Sequence, residues 1–233
     1  MAKIFEKPRM QQVDQGGEVK LACCVLIDVS GSMSGYETEI ERNVQALKTA
    51  IQNDPEARGR VEIELILFDS DVREASRFSL IDHLEIPKVT CSGGTSTHAA
   101  VKLALERVKQ RKEDYKLAGV EYYQPWIWLF TDGDYTDPDN GSFKELLAAQ
   151  QPGANGKASL TFYPIAVGDH VNELKLAAMH KDGLVMRVDK DNLGKAFAFL
   201  SRSLSLRSQR DPQEPNPRMQ LPDGITAVVY NPL

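Results

Sequence analysis

The sequence predicts an α/β domain on a mostly parallel central sheet, with one antiparallel edge strand and helices on both faces. Three observations carry this prediction. The stretches "LACCVLID" (21–28), "VEIELILF" (61–68), "PWIWLFTD" (125–132) and "SLTFYPIAV" (159–167) are largely apolar and of strand length, as strands covered on both faces should be. The segments between them repeat apolar residues at helical spacing. Two of the strands end in an aspartate followed by small or hydroxyl residues, which gives one edge of the sheet a chemistry of its own.

Taken in order, the first strand is 21–28. Ile40, Val44, Leu47 and Ile51 then mark an amphipathic helix that "NDP" at 53–55 stops. The second strand is 61–68. A "DSD" turn joins it to "VREASRF", and a turn that short can only make a hairpin, so the third strand runs antiparallel to the second. Val101, Ala104, Leu105 and Val108 define a helix starting near Ser96 or Thr97. Its far end, "LERVKQRKEDYK" (105–116), mixes both signs of charge and reads as a solvated face.

The fourth strand, 125–132, carries Trp126 and Trp128 on one face, where a helix should cover them. "SFKELLAAQQ" (142–151) is a short helix closed by "PGANG". The strand at 159–167 contains Pro164, which suits a position near an edge. "VNELKLAAMH" reads as helix, "GLVMRV" as a short strand, and Leu193 to Leu204 as a last helix over 191–206. From Ser208 the chain turns proline-rich, and "ITAVVY" (225–230) is a candidate strand that could dock back. The expected organisation is a polar lead-in (1–19), one domain (20–206) and a proline-rich tail (207–233).

With 233 residues, 42% of them hydrophobic, the chain can bury one full core. A net charge of −5 gives no basic footprint for nucleic acid. No apolar stretch approaches membrane-spanning length, and the polar N-terminus lacks a signal-peptide core, so a cytoplasmic protein is expected. Cys23 and Cys24 are strand neighbours pointing to opposite faces, and Cys91 has no CxxC companion. Neither a disulfide nor a zinc site follows from them.

In parallel α/β sheets, ligands gather outside the carboxyl ends of the strands. Three loops expected there are rich in oxygen: "DVSGS" (28–32), "SGGTST" (92–97) and "FTDGD" (130–134). Any one of them alone is an ordinary cap or turn. Together they suit a hard divalent cation, Mg²⁺ before Mn²⁺ or Ca²⁺, held by few carboxylates and several neutral oxygens. Ser30, Ser32 and Thr95 would offer hydroxyls, with Asp28 and Asp132 holding metal-bound waters. His98 is a first-turn helix residue rather than a ligand, and Gly31, Gly93, Gly94 and Gly133 allow the sharp turns.

"DVSGSMSG" resembles the DxSxS motif of the von Willebrand factor A domain, and the resemblance extends over about residues 20–206. It implies a Rossmann-like fold and a metal-ion-dependent adhesion site. The family completes that site with a threonine and an aspartate from later loops, matched here by Thr95 and Asp132. "LILFDSDV" and "LFTDGDYTD" look like the compact bacterial members encoded with tellurite-resistance and stress operons. The resemblance then implies a non-enzymatic, cytoplasmic protein-binding module. Its partner protein would supply an Asp or Glu carboxylate to the ion, an operon-encoded kinase or phosphatase being one such partner, with no nucleic acid or membrane involved. Tyr36, Tyr135 and Asp137 are candidate rim residues for that partner.

Two other readings stay open. One is a scaffold of the same fold that works without metal. The other is a Mg²⁺-dependent phosphohydrolase of the haloacid-dehalogenase type, but its second aspartate is replaced by Ser30 and no strand-end lysine is evident. GxGxxG, GxxxxGK[ST] and GxSxG motifs are absent, and the four histidines have no nucleophile beside them in sequence.

Overall fold

The computed structural model describes residues 17–154, 156–217 and 219–230. Most of the expected lead-in, 1–16, lies outside the described residues. Seven strands form one sheet in the order β3-β2-β1-β4-β5-β6-β7. β1 (Leu21–Asp28) lies between β2 (Val61–Phe68) and β4 (Trp126–Thr131), parallel to both. β5 (Thr161–Val167) and β6 (Leu184–Val188) continue the parallel run.

β3 (Val72–Leu80) is the expected antiparallel edge. A second antiparallel edge was not expected: β7 (Ile225–Val229) pairs with β6 at the opposite side of the sheet. Pro164 lies in an interior strand, opposite Leu129 of β4. It fits there because the ladder to β6 begins one residue later, at Ile165, so the missing N–H falls where β5 has a neighbour on one side only.

Period-two alternation divides the core into two layers. Cys23, Val25 and Ile27 face α1 (Glu37–Gln52) and α6 (Leu193–Ser208), while Ala22, Cys24 and Leu26 face α3 (Thr97–Ala118). The adjacent cysteines are thus buried free thiols on opposite faces. α4 (Ser142–Gln150) and α5 (Glu173–Ala177) contribute Leu146, Leu176 and Ala177 to the α3 side. The two tryptophans share the other layer: Trp128 meets Phe199 of α6 at 5.8 Å, and Phe130 stacks on Phe197 at 4.6 Å.

Two local readings are corrected. "NDP" ends α1 but also starts α2 (Pro55–Arg60), because the Asp54 side chain caps the N–H groups of Glu56 and Ala57 and Pro55 suits the first turn. The charged end of α3 is only partly a solvated face: Lys109, Glu113 and Lys116 are exposed. Arg111 and Asp114 are buried, since β2 presents Glu62 and Glu64 on the face that α3 covers.

The segment after α6 is held by Arg207, whose guanidinium donates to the carbonyls of Asp211, Pro212 and Glu214. It leads to β7, where the Tyr230 N–H donates to the Gly183 carbonyl. Asp28 and Asp132 meet at the carboxyl ends of β1 and β4. This is the switch point of the sheet, because the chain leaves β1 toward β2 and returns on the other side as β4.

Candidate metal centre

β1 ends at Asp28, a wholly buried carboxylate. One oxygen accepts the Ser30 N–H at 2.9 Å and the other the Thr131 hydroxyl at 2.5 Å. These bonds fix its orientation within the floor of the site. Burial pushes the Asp28 carboxyl above its usual range, the bonds from Thr131 and Ser30 oppose that, and the neighbouring Asp132 adds to it.

The first loop carries Ser30 and Ser32 upward from this floor. Their hydroxyl oxygens are 3.0 Å apart, and Ser32 donates to Asp132 Oδ1 at 2.6 Å. Ser30 and Asp132 are buried, whereas Ser32 is exposed, so the cluster opens to solvent at Ser32. Thr95, on the second loop, is buried, and its backbone pairs with Thr136: Thr95 N–H donates to Thr136 Oγ1 and Thr136 N–H to the Thr95 carbonyl, each at 2.9 Å. Gly133 joins the sets: a Cβ there would stand 3.7 Å from Thr95 Oγ1 and 3.8 Å from Ser32 Oγ.

Backbone bonds between loops hold this arrangement. Gly31 N–H donates to the Gly93 carbonyl and Ser92 N–H to the Val29 carbonyl. Ser70, after β2, receives Gly94 N–H on its hydroxyl and Ser96 Oγ on its carbonyl. Two glycines are required by close approach: a Cβ at Gly93 would come within 2.5 Å of Ser70 Oγ, and one at Gly94 within 2.7 Å of Thr136 Oγ1. The fold therefore brings Asp28, Ser30, Ser32, Thr95 and Asp132 together.

The donor chemistry fits a hard divalent cation: three hydroxyls and two carboxylates, all oxygen. Cys91 borders the cluster, and burial pushes its thiol up to about 12. Among the described residues no group of three or more His, Cys, Asp or Glu is arranged to hold a metal, so a cation here would depend on the hydroxyls.

The rim differs from expectation. Asp137 is turned to the start of α3, where its carboxylate accepts the N–H groups of His98 and Ala99 at 3.2 and 2.8 Å. It acts as a helix cap because those N–H groups have no partner within the helix. His98 lies in that first turn, stacked on Phe143 at 3.7 Å. Tyr135 and Tyr36 are half-buried at the rim, each under a lysine: Lys175 is 4.8 Å from the Tyr135 ring and Lys190 5.3 Å from that of Tyr36.

Sequence reasoning missed Thr131, Thr136, Ser70 and above all Lys190. Lys190 follows β6 by two residues and its ammonium donates to Asp132 Oδ2 at 2.5 Å and to the Ser32 carbonyl at 2.8 Å. A strand-end lysine is thus present after all. The available signal was its place just beyond the carboxyl end of a parallel strand.

Residues 24–134, which include all five oxygen-bearing residues, match the family model of the von Willebrand factor type A domain. Over that stretch the chain is similar to a von Willebrand factor type A domain. Solved structures of similar fold include the ArnB paralog VWA2 from Sulfolobus acidocaldarius (TM-score 0.53, 18% identity, 80% of this chain and 46% of that one). Proximal thread matrix protein 1 from the mussel byssus, solved with a zinc-occupied MIDAS motif, gives a TM-score of 0.53 at 17% identity, over 81% of this chain and 48% of that one. BatB from Bacteroides thetaiotaomicron gives 0.53 at 18% identity, over 82% of this chain and 100% of that one. At these identities the likeness is one of fold. The chain spans less than half the length of the archaeal and mussel proteins. No curated protein is a significant match. No helix among the described residues is long and apolar enough to cross a membrane.

Proposed function

We propose that this domain is a metal-ion-dependent protein-binding module that captures a carboxylate of a partner protein. The observation that supports it is the run of hydrogen-bonding contacts from Ser30 to Ser32 and from Ser32 to Asp132, above a buried Asp28 whose orientation is already fixed. Ser30, Ser32, Thr95 and Asp132 would hold the ion, Mg²⁺ by preference, with Asp28 behind them. When bound, the ion supplies a positive centre for an incoming Asp or Glu. The chain's own part is to keep direct negative charge on the ion low by offering hydroxyls, so that the centre remains attractive to an anion. Partial burial of the site would make that contact stronger than an exposed salt bridge.

On the sequence resemblance, the proposed partner is a cytoplasmic protein of a stress-response or tellurite-resistance system, with kinases and phosphatases the first to test. Tyr36 and Tyr135 are the proposed contact rim. A phosphohydrolase is disfavoured: Lys190 supplies the cation that reading lacked, yet Ser30 still stands where the acid/base aspartate is needed. The test is binding of Mg²⁺ and Mn²⁺ by calorimetry, and of a candidate partner with metal and with EDTA, using Thr95→Ala as control. Metal-dependent partner binding lost in Thr95→Ala supports the proposal; equal partner binding in EDTA and in the variant overturns it in favour of a metal-independent scaffold.

A further inference from the structure

Lys190 is built into the site rather than lying across it. Its aliphatic stem runs along Gly168, where an added Cβ would meet Cγ at 3.2 Å and Cε at 3.3 Å. Its ammonium reaches oxygens of two different loops, Asp132 Oδ2 at 2.5 Å and the Ser32 carbonyl at 2.8 Å, beside the Tyr36 ring. Asp132 Oδ1 already accepts the Ser32 hydroxyl, so Lys190 engages the second oxygen of a carboxylate that is 3% exposed.

We propose that Lys190 sets the affinity of the cation site, as a tethered competitor that a divalent ion must displace from Asp132. This rests on the metal-binding reading above. A buried carboxylate beside a second one, Asp28, needs a counter-charge, and the ammonium supplies it through a charge-assisted hydrogen bond. A divalent cation held by the same aspartate brings two further positive charges to a place the ammonium already occupies. At such separations in a partly dry site the repulsion is large, so binding is an exchange of cations rather than a simple addition. The displaced side chain stays tethered at the short 3₁₀ turn Lys190–Asn192, which runs directly into α6.

The experiment measures Mg²⁺ and Mn²⁺ affinity by calorimetry in the wild-type chain, Lys190→Met and Thr95→Ala. Methionine keeps the stem against Gly168 and removes the charge. Lys190→Met is expected to bind both ions about tenfold tighter or more, since no ion pair has to be broken first. In EDTA its melting temperature should fall below that of the wild type, and metal should raise it by more. Equal or weaker metal affinity in a folded Lys190→Met overturns the inference and leaves the metal site standing. Binding in Lys190→Met but not in the wild type upholds it. Failure of both to bind either ion overturns the metal site itself and this inference with it.

Discussion

Arg111 of α3 closes its guanidinium on both oxygens of Glu62 of β2, each at 2.7 Å, with the two side chains only 2% and 1% exposed. Tyr115, one turn further along, donates its hydroxyl to the same carboxylate. A strand that must be buried on both faces thus carries a charge, and the helix covering it carries the complement. The bidentate geometry fixes how α3 lies along the sheet, and α3 is the helix whose first turn follows the Thr95 loop.

Breaking this pair from one side leaves a buried charge alone. Glu62→Gln or Arg111→Met should each destabilise the fold by about 3–5 kcal/mol in denaturant unfolding. Replacing both with methionine should recover only part of the loss, because buried Asp114 then loses Arg111 and the buried Tyr115 hydroxyl loses its acceptor.

Glu64, two residues along β2, is a different case. It is fully buried, neither oxygen makes a well-directed hydrogen bond, and Arg107 stands at 3.6 Å while pairing with Glu74. Burial first, and then the Glu74 charge, push its carboxyl from 4.5 to about 8. The folded state therefore holds a proton that the unfolded chain releases. That stabilisation is complete below the unfolded value and is lost as pH rises through about 8. Glu64→Gln should gain stability relative to the wild type, on the order of 1 kcal/mol or more, between about pH 5 and about pH 9. Urea unfolding at several pH values tests it, and a constant difference between the two proteins would rule out the buried proton.

Asp137 offers a direct separation of cap from rim. Asp137→Ala removes the acceptor for the His98 and Ala99 N–H groups and should cost about 0.5–2 kcal/mol of stability. Metal affinity measured by calorimetry should stay close to that of the wild type.

Thr131→Val probes the floor of the site. It deletes the hydroxyl that Asp28 Oδ2 accepts at 2.5 Å within the core. The expected loss is about 1–3 kcal/mol, accompanied by weaker Mg²⁺ binding as Asp28 loses its fixed orientation.

The end of β7 comes close to the turn before β6. Gly183 has a φ of +66°, and a Cβ there would stand 1.9 Å from the Tyr230 carbonyl oxygen. Gly183→Ala should release residues 225–229 from β6, read as faster amide exchange there, while exchange in β1 and β4 stays slow.

The central strands and the five oxygen-bearing residues were legible because each rests on a local pattern: an apolar run, then hydroxyls and glycines at a strand end. What was not legible depended on pairing across space. "KQRKED" reads as a solvated face until β2 is seen to bury Glu62 and Glu64, and two glutamates spaced i, i+2 in a buried strand were the available signal. Arg107 and Arg111, spaced i, i+4 on the helix, answer it. Lys190 stands in "VDKDN", which reads as a turn, and nothing local says that its side chain crosses Gly168 to reach Asp132. The place of β7 was beyond local pattern as well, since "ITAVVY" specifies a strand but not its neighbour.

The aromatic stack on β4 gives this domain an optical handle. Both of the chain's tryptophans lie on that one strand, and Trp128 and Phe130 touch α6 through Phe199 and Phe197. Thr131 ends the same strand and Asp132 follows it, and α6 begins just after the Lys190 turn. Emission from Trp128 therefore originates beside the last helix, on the strand that leads to the oxygen cluster. A shift of α6 on its bed would change tryptophan colour and quenching without any introduced label, so ligand titrations can be followed by light alone.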